Sequence, residues 1–361
     1  MTTAVATAEK PNGREKKRIA LVFCGGTIAM APNPKTGALE PAKTPEQLLA
    51  RVPKVKEYVD LDIVEAFNKD SSNLRPEDWQ KIVETVHSVY NQYDGIVVSH
   101  GTDTMPFSAS AVAFAMQNLN KPIVFTGSQS IPDKLGSDAP FNLENAFRVA
   151  TSEIAEVMIT FGHTIHRGVR AIKVSESSFE AFESPITGPL GYIESEIRWH
   201  PSSSKKSFLV HHPSIFQPAF VSDILSVRSS PPMEPWMIEA LIEKKKLRGL
   251  IFEALGAGNI ATHYHEVIEK TVKEWNIPVL VTSPFIGGST AGIRTYASGL
   301  GALKAGAIST GDMTVPAATV KLSWILGQID AKLKEGLITE EQIIPEVARS
   351  LAHNYVGEIT V

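Results

Sequence analysis

Two threonines that follow glycine at the ends of apolar segments constrain the fold of this 361-residue chain more than any other feature. The segment IALVFCGGTIAM contains Thr27, and DGIVVSHGTDTM contains Thr102 with Asp103 beside it. An apolar, β-branched segment that ends in glycine and then becomes helical predicts a strand, a tight loop and a helix. In open α/β sheets, ligands bind at the carboxyl ends of the strands. We therefore expect two hydroxyls and a carboxylate to converge on a small polar substrate, as in an enzyme.

The length and composition are those of a globular protein with two domains. A chain of this length is long for one hydrophobic core, and its 43% hydrophobic and 20% charged residues are ordinary proportions. The net charge of -4 argues against nucleic acid as a partner. No apolar stretch reaches the roughly 18 residues of a membrane span, and residues 1–17 lack the apolar centre of a signal peptide. We expect a cytoplasmic protein with no membrane partner.

Strands and helices alternate along the first half of the chain, which predicts parallel strands joined by right-handed crossovers. The predicted strands are Arg18–Cys24, Leu61–Ala66, Gly95–Ser99, Pro122–Thr126 and Val157–Phe161. The predicted helices are Pro45–Arg51, Pro76–Tyr90, Ser108–Asn118 and Leu143–Thr151, with Asn73 as the candidate cap of the second.

The second half repeats this alternation after a segment rich in Ser, Lys, Pro and His. Strands are predicted at Gly249–Ala254 and Pro278–Thr282, and helices at Tyr264–Trp275 and Thr314–Gly327. Thr339, with Gln342 three residues later, predicts a capping box that opens a last helix. The expected organisation is a disordered leader (1–17), an N-terminal domain (18–200), a linker (201–235) and a C-terminal domain (236–361).

Each local motif, taken alone, allows a structural as well as a functional interpretation. Thr27 either presents its hydroxyl to a ligand or caps a helix, and Asp103 either caps the helix near Met105 or receives a substrate ammonium group. The DSSN segment at 70–73 is typical of a helix-capping loop. Lys173 is an ordinary surface lysine unless it is desolvated beside Thr102 and Asp103, where its pKa would fall enough for it to act as a base.

Phosphate, dinucleotide and metal sites are not indicated. The chain has no GxxxxGK[ST] sequence, and its Gly-Gly-Thr loop lacks the GxGxxG spacing. The ten histidines show no convincing metal spacing, and the single cysteine, Cys24, excludes an internal disulfide and an all-cysteine metal site. We expect neither a metal nor a cofactor.

Several blocks, taken in their order along the chain, resemble the bacterial-type L-asparaginase family from Arg18 to Gln328. They are GGTIAM, DSSNLRPEDW, SHGTDTM, KPIVFTGSQ, RAIKVSES ahead of GPLGYI, GAGN and GDMTVPAATVKLSWILG. The resemblance implies an α/β fold with a larger flavodoxin-like N-terminal domain and a smaller α/β C-terminal domain. It also implies cofactor-free hydrolysis of L-asparagine, or of L-glutamine, to the acid and ammonia. Homodimers or homotetramers with active sites at subunit contacts are expected.

The same resemblance assigns residue roles. Thr27 matches the nucleophile, and Thr102, Asp103 and Lys173 match the second threonine with its supporting aspartate and lysine. Ser71 matches the serine that holds the substrate α-carboxylate, and Ser72 follows it. Asp103 would also bind the α-ammonium group. A further position, Asn259 in GAGN, lies in the segment that approaches a neighbouring subunit's site.

The sequence departs from the family pattern in its lid and in one C-terminal segment. The loop APNPKTGALEPAK is rich in proline, which predicts a stiff lid, and it places Ala38 where the family carries a tyrosine. The segment SPFIGGSTAGIRTYASG offers no carboxylate before Tyr296 and lacks the cysteine with which some members build an allosteric site. Tyr192 in GPLGYI is a candidate replacement for the missing phenol.

Three alternative functions remain open from the sequence. The first is an amidase for glutamine or a modified asparagine. The second is the amide-releasing subunit of a tRNA-dependent amidotransferase, which usually carries an extra N-terminal domain for which 17 residues leave no room. The third is a non-catalytic protein that binds or senses an amino acid.

Overall fold

The computed structural model describes residues 16–205, 213–244 and 247–360. Most of the predicted leader lies outside these ranges, and Lys17, within it, already begins the first strand. The described residues form a large sheet, a smaller four-stranded sheet and the helices that cover them. No helix within the described ranges is long and apolar enough to cross a membrane.

The strands and helices are numbered in chain order. The strands are β1 (Lys17–Gly25), β2 (Met30–Pro32), β3 (Leu39–Pro41), β4 (Val59–Lys69), β5 (Gly95–Ser99), β6 (Met116–Gln117), β7 (Ile123–Thr126), β8 (Val157–Phe161), β9 (Thr164–Arg167), β10 (Ile172–Lys173), β11 (Phe182–Glu183), β12 (Gly191–Ile193), β13 (Ile197–Trp199), β14 (Ile215–Phe216), β15 (Ile224–Arg228), β16 (Gly249–Glu253), β17 (Val279–Thr282) and β18 (Ile308–Ser309). The helices are α1 (Pro45–Leu49), α2 (Val55–Tyr58), α3 (Pro76–Tyr90), α4 (Met105–Ala115), α5 (Ala139–Ala150), α6 (Pro235–Glu243), α7 (His265–Lys273), α8 (Ala297–Lys304), α9 (Val315–Lys334) and α10 (Ile343–Ala352).

The large sheet contains eight strands in the order β13-β12-β9-β8-β7-β5-β1-β4. The pairs β4–β1, β1–β5, β5–β7 and β7–β8 are parallel, whereas β9, β12 and β13 extend the sheet with antiparallel pairs. Numbered by chain order, the parallel strands lie 2-1-3-4-5, which is the flavodoxin-like order. The predicted fold class, a larger flavodoxin-like N-terminal domain with a mainly parallel sheet and a smaller α/β C-terminal domain, is confirmed.

This strand order determines where a ligand binds. The chain leaves β1 toward the edge strand β4 but leaves β5 toward β7, on the opposite side. The loops after β1 and β5 therefore diverge and leave a crevice at the carboxyl ends of the two strands. Thr27 follows β1 and Thr102 follows β5, so the fold places both threonines at this switch point.

The smaller sheet is wholly parallel, with the order β15-β16-β17-β18. Helix α9 connects it to the large sheet, because α9 packs against both α4 and the strands β15 and β16. Phe114 of α4 stacks on Trp324 of α9, with ring centroids 5.9 Å apart. One continuous apolar core thus includes residues of both sheets, and the two domains are joined by burial rather than by the connecting chain alone.

Several local predictions differ from the structure. Helix α3 has the predicted bounds, but Arg75, not Asn73, is its N-cap, because the Asp78 carboxylate accepts a hydrogen bond from the Arg75 N–H at 3.0 Å. The segment predicted as a linker contains β14 and β15, because the Ser and Pro residues around these strands indicated an irregular connection. The capping box of Thr339 and Gln342 is present, as predicted.

Candidate active site

Three loops meet at the carboxyl ends of β1, β4 and β5. Gly26 lies so close to the next loop that a Cβ atom there would be 2.2 Å from the Gly101 nitrogen. A Cβ on Gly101 would in turn be 2.6 Å from the Cβ of Ser71, which follows β4. Real atoms do not approach so closely, so only glycine fits at either position. The pairing of the two strands and these contacts bring Thr27, Thr102 and Ser71 to one crevice.

Thr27 begins a short 3₁₀ turn, Thr27–Ala29, directly after two glycines with positive φ. Its side chain is half-buried, and its hydroxyl has no hydrogen-bond partner among the described residues. The nearby thiol of Cys24 is buried, and burial raises its pKa, which makes it a poor nucleophile. Thr27 is therefore the accessible hydroxyl on this loop.

Thr102, Asp103 and Lys173 form a hydrogen-bonded group beside this loop. The Lys173 ammonium donates to the Thr102 hydroxyl at 2.8 Å and to the Asp103 carboxylate at 2.6 Å. Thr102 is buried, and 15% of the Lys173 side chain is exposed, compared with 63% of Asp103. Lys173 is therefore not the solvated surface lysine that its local sequence allowed, and Asp103 remains open to a ligand.

Lys173 is held in place by the segment that precedes it. Lys173 ends β10, which pairs with β11, and Arg170 lies three residues earlier. The buried Arg170 guanidinium donates to the Gly357 carbonyl at 2.7 Å and forms an ion pair with Asp312 at 3.1 Å. These contacts connect the start of β10 to the C-terminal part of the chain, which fixes the strand that presents the lysine.

Gln129 is a site residue to which the sequence reasoning assigned no role. Its Oε1 atom accepts from the Thr102 hydroxyl at 3.3 Å, while its Nε2 atom donates to the carbonyls of Ser175 and Ser178 at 3.1 and 3.2 Å. The two carbonyls fix which end of the amide faces Thr102, because they can only accept. The available signal was the block KPIVFTGSQ, since Gln129 follows the end of β7 as Thr102 follows β5.

The serines after β4 have different environments. Asp70 accepts from the Ser72 N–H at 3.0 Å and caps the short turn Ser71–Asn73, as the local sequence allowed. Ser71 is buried against Gly101, and its carbonyl accepts from the Thr104 hydroxyl at 2.8 Å. Ser72 is exposed. Ser71 therefore belongs to the crevice, and Ser72 lies at its outside.

The backbone N–H groups of Thr27, Gly101 and Thr102 lie on the loops that form the crevice, and they have no acceptor in the described ranges of the chain. Buried or half-buried amides are nearly always paired, so unpaired donors at a loop junction are available to a ligand. This is the arrangement that stabilises negative charge developing on the oxygen of a hydrolysed amide.

A cavity of about 390 Å³ continues from Asp103 and Lys173 toward the smaller domain. Its other polar lining residues include Arg228, Glu253 and Thr314, and Phe285 contributes an exposed aromatic ring. Asp103 and Lys173 therefore face the space between the two domains.

The predicted lid is a β-hairpin formed by β2 and β3. Two backbone hydrogen bonds of Asn33 stabilise the turn of this hairpin. The Asn33 N–H donates to the Ala38 carbonyl at 2.8 Å, and the Asn33 carbonyl accepts from the Gly37 N–H at 2.9 Å. Ala38 is exposed and offers no polar side-chain atom. Tyr192 is on β12, five strand spacings from β1, or about 24 Å, so it does not replace the missing phenol.

Asn259 is not brought to this crevice within the described chain. Its backbone pairs with Leu255 in the smaller domain, and its side-chain oxygen accepts from the Ser298 hydroxyl at 3.2 Å. The described residues also contain no group of three or more His, Cys, Asp or Glu side chains that would hold a metal ion.

Family models match both halves of the chain. The model "Asparaginase, N-terminal" covers residues 18–205, and "Glutaminase/Asparaginase C-terminal domain" covers residues 223–335. The chain belongs to the asparaginase/glutaminase family. The fold and family membership support an amidohydrolase with a small-molecule amide substrate.

The relatives with similar sequences are amidotransferase subunits, whereas the solved structures with similar folds are L-asparaginases. The chain is 34% identical to a glutamyl-tRNA(Gln) amidotransferase subunit of Pyrococcus abyssi, covering 95% of this chain and 76% of that protein. The thermostable L-asparaginase from Thermococcus kodakarensis has a TM-score of 0.84 at 29% identity, covering 95% and 99% of the two chains. L-asparaginase I from Vibrio cholerae has a TM-score of 0.82, also at 29% identity, covering 96% and 100%.

Proposed function

We propose that this protein hydrolyses the side-chain amide of L-asparagine to L-aspartate and ammonia. The observation that carries the proposal is the hydrogen-bonded group of Thr102, Asp103 and Lys173 beside the free hydroxyl of Thr27. Amide hydrolysis needs a nucleophile, a group that moves protons and donors for the oxyanion, and this crevice offers each of them. The two L-asparaginase structures, which align along almost their whole length, support asparagine as the substrate.

The proposed chemistry divides the reaction between the two threonines. Thr27 Oγ1 attacks the amide carbon, the C–N bond breaks, and ammonia leaves with the proton that the hydroxyl gave up. Water then cleaves the ester and restores Thr27. Lys173 and Thr102 move the protons of these steps, and the free N–H groups stabilise the oxyanion. No cofactor takes part in this scheme.

Substrate binding is proposed to use the exposed carboxylate and the serines after β4. The Asp103 carboxylate forms an ion pair with Lys173 and is exposed enough to receive the α-ammonium group of an amino acid. Ser71 lies against Gly101 on the other side of the crevice and would hold the α-carboxylate, with Ser72 at the rim. An amino acid held at both ends would present its side-chain amide to Thr27.

The amide-releasing component of a tRNA-dependent amidotransferase is the second candidate function. It is favoured by the similarity to glutamyl-tRNA(Gln) amidotransferase subunits of Pyrococcus abyssi and Methanosphaera stadtmanae, at 34% and 32% identity. In that case the crevice would release ammonia for a second protein, and the isolated chain would have little activity on free amino acids.

The deciding experiment is ammonia release by the purified chain from L-asparagine and from L-glutamine over a wide concentration range. Thr27→Ala serves as the matched inactive control. Saturable release from asparagine that the control lacks is the expected result. Preference for glutamine would make the protein a glutaminase, and tight binding of either amino acid without turnover would identify a non-catalytic binding protein.

We also propose that the active unit is a homodimer or homotetramer in which Asn259 approaches a neighbouring site. The smaller domain exposes large apolar side chains on the loops near Asn259 and after β17, and such surfaces mark protein contacts. These side chains are Leu255 (49% exposed), Phe285 (55%), Ile286 (64%) and Tyr296 (57%). Light scattering coupled to size exclusion tests this, and a fully active monomer would contradict it.

A further inference from the structure

His100 occupies an unusual position directly before Gly101 and Thr102. Its side chain is 1% exposed, and its Nδ1 atom lies 2.7 Å from the Gly101 carbonyl oxygen. A carbonyl oxygen only accepts, so Nδ1 carries the hydrogen and donates it. The ring also packs edge-on against Phe125, with centroids 5.9 Å apart. The imidazole is thus held in one place and in one tautomer.

The other ring nitrogen, Nε2, is buried and has no hydrogen-bond partner among the residues that the structure describes. Burial lowers the pKa of His100 to about 4, which keeps the ring neutral at pH 7. An unpaired buried nitrogen costs free energy that an apolar ring of similar size would not. The benefit of a histidine here must therefore come from its Nδ1–H.

That hydrogen bond fixes the direction of the next peptide group. In a trans peptide the C=O and N–H bonds point in opposite directions, and the described chain has no cis peptide bond. Because the Gly101 carbonyl points at the imidazole, the Thr102 N–H points away from it. This N–H has no acceptor among the described residues.

We propose that His100 is a positioning residue that aims the Thr102 N–H at the oxyanion of the hydrolysed amide. The inference rests on the proposed function, since it deepens the role of the same crevice. An oxyanion donor acts only when it is aimed in advance at the place where charge develops. His100 holds the peptide group in this orientation through its hydrogen bond to the Gly101 carbonyl, without contacting the substrate.

Two substitutions separate this role from simple packing. His100→Asn places an amide N–H near the position of Nδ1, whereas His100→Gln places one near the position of Nε2. We expect His100→Asn to keep kcat for ammonia release within about threefold of wild type. We expect His100→Gln to lose about 10- to 100-fold in kcat with little change in KM, because the lost interaction exists only in the transition state.

A second measurement does not depend on activity. Nitrogen-15 NMR of the imidazole in the wild-type protein at pH 7 distinguishes a protonated from an unprotonated ring nitrogen. We expect hydrogen on Nδ1 and none on Nε2 of His100, with His100→Asn used to assign the signals. Hydrogen on Nε2 would overturn the inference whatever the kinetics show.

The outcomes also separate this inference from the proposed function. A wild-type protein that releases no ammonia overturns the proposed function, and the catalytic role of His100 with it. An active wild type in which folded Asn and Gln variants lose activity equally, or not at all, overturns the role of His100 alone. Thermal unfolding of both variants establishes that they are folded.

Discussion

The Lys173 ammonium donates a hydrogen bond to the Thr102 hydroxyl at 2.8 Å across a sequence separation of 71 residues. Thr102 in turn directs its own hydrogen toward Gln129, so the hydroxyl accepts from the lysine and does not give its proton to it. In this resting arrangement Lys173 is a donor. To take the proton of Thr102, the lysine must first be deprotonated and the hydroxyl must rotate away from Gln129.

Removal of either threonine should abolish turnover. Thr27→Ala removes the proposed nucleophile, and Thr102→Val removes a hydroxyl while preserving its shape. Because groups that act as a unit are not additive, each change should lower kcat about 10³-fold or more, and the double variant should lose little beyond that. Steady-state ammonia release measures all three. Near-normal turnover by a folded Thr27→Ala protein would show that Thr27 is not the nucleophile.

Lys173 and Asp103 should affect different kinetic constants. Lys173→Met removes a proton-transfer group and should lower kcat about 10²-fold or more with a small change in KM. Asp103→Asn should chiefly raise KM for asparagine, since it weakens the ammonium contact. Lys304→Met, at an exposed position on α8, is the matched control and should leave both constants unchanged. Equal kcat and KM for the Lys173 and Lys304 variants would show that Lys173 has no catalytic role.

Gln129 should control the direction of the Thr102 hydrogen. Gln129→Met preserves the length of the side chain and removes its acceptor. The loss of one hydrogen bond should lower kcat roughly 3- to 10-fold. Gln129→Glu keeps an acceptor for Thr102 but places a carboxylate oxygen against the carbonyls of Ser175 and Ser178, which leaves these acceptors unpaired and should also lower kcat. Unchanged kcat in both variants would argue against this role.

The lid should limit the rate because Ala38 offers no hydroxyl. One polar contact to an activated group is worth about 1.5–3 kcal/mol, or roughly 10- to 150-fold in rate. Ala38→Tyr retains the backbone bonds of the hairpin and should raise kcat/KM for asparagine, whereas Ala38→Phe should not. Tyr192→Phe should be neutral, since that ring packs under Arg198 on a distant strand. Fast hydrolysis by wild type, unchanged in Ala38→Tyr, would mean that this lid needs no phenol.

Acid should destabilise the fold through two buried histidines. Burial lowers the pKa of both His100 and His166 from 6.5 to about 4. Between these values the unfolded chain binds more protons than the folded chain, so the free energy of unfolding falls as the pH decreases. The expected slope is about 1.4 kcal/mol per pH unit for each histidine, and it vanishes above pH 6.5. Urea unfolding at pH 7.5, 6 and 5 measures it. His100→Asn should reduce the slope by about half, and a flat profile in wild type would contradict the effect.

The sequence predicted those parts of the fold that have strong periodicity or clear end signals. Strands β5 and β8 and helix α3 have the predicted bounds, because apolar β-branched runs and a proline in the first turn specify them locally. The antiparallel strand β9 was missed because its four residues, TIHR, include only one apolar side chain and the chain turns back directly after β8. Its pairing depends on tertiary contacts, which short segments do not encode locally.

Those site residues that follow clear local signals could also be predicted from the sequence. Thr27 and Thr102 follow glycine at strand ends, so their neighbouring positions in the sheet followed from the topology. Lys173 needed the resemblance to a family, since burial of its side chain depends on β10, β11 and the anchor at Arg170. Gln129 and His100 were missed because their roles depend on the direction of single hydrogen bonds, and no sequence pattern records such a direction.

The contact between Gly26 and Gly101 has a consequence for how such a protein diversifies. The loops after β1 and β5 can approach so closely because neither has a side chain where Gly26 meets Gly101. A single methyl group at either position would push the two loops apart. Evolution of a new substrate preference cannot proceed by moving these loops apart in small steps. Substitutions that change the substrate preference must instead lie in the hairpin around Ala38 or in the loops of the smaller domain. The contact between Gly26 and Gly101 would remain unchanged.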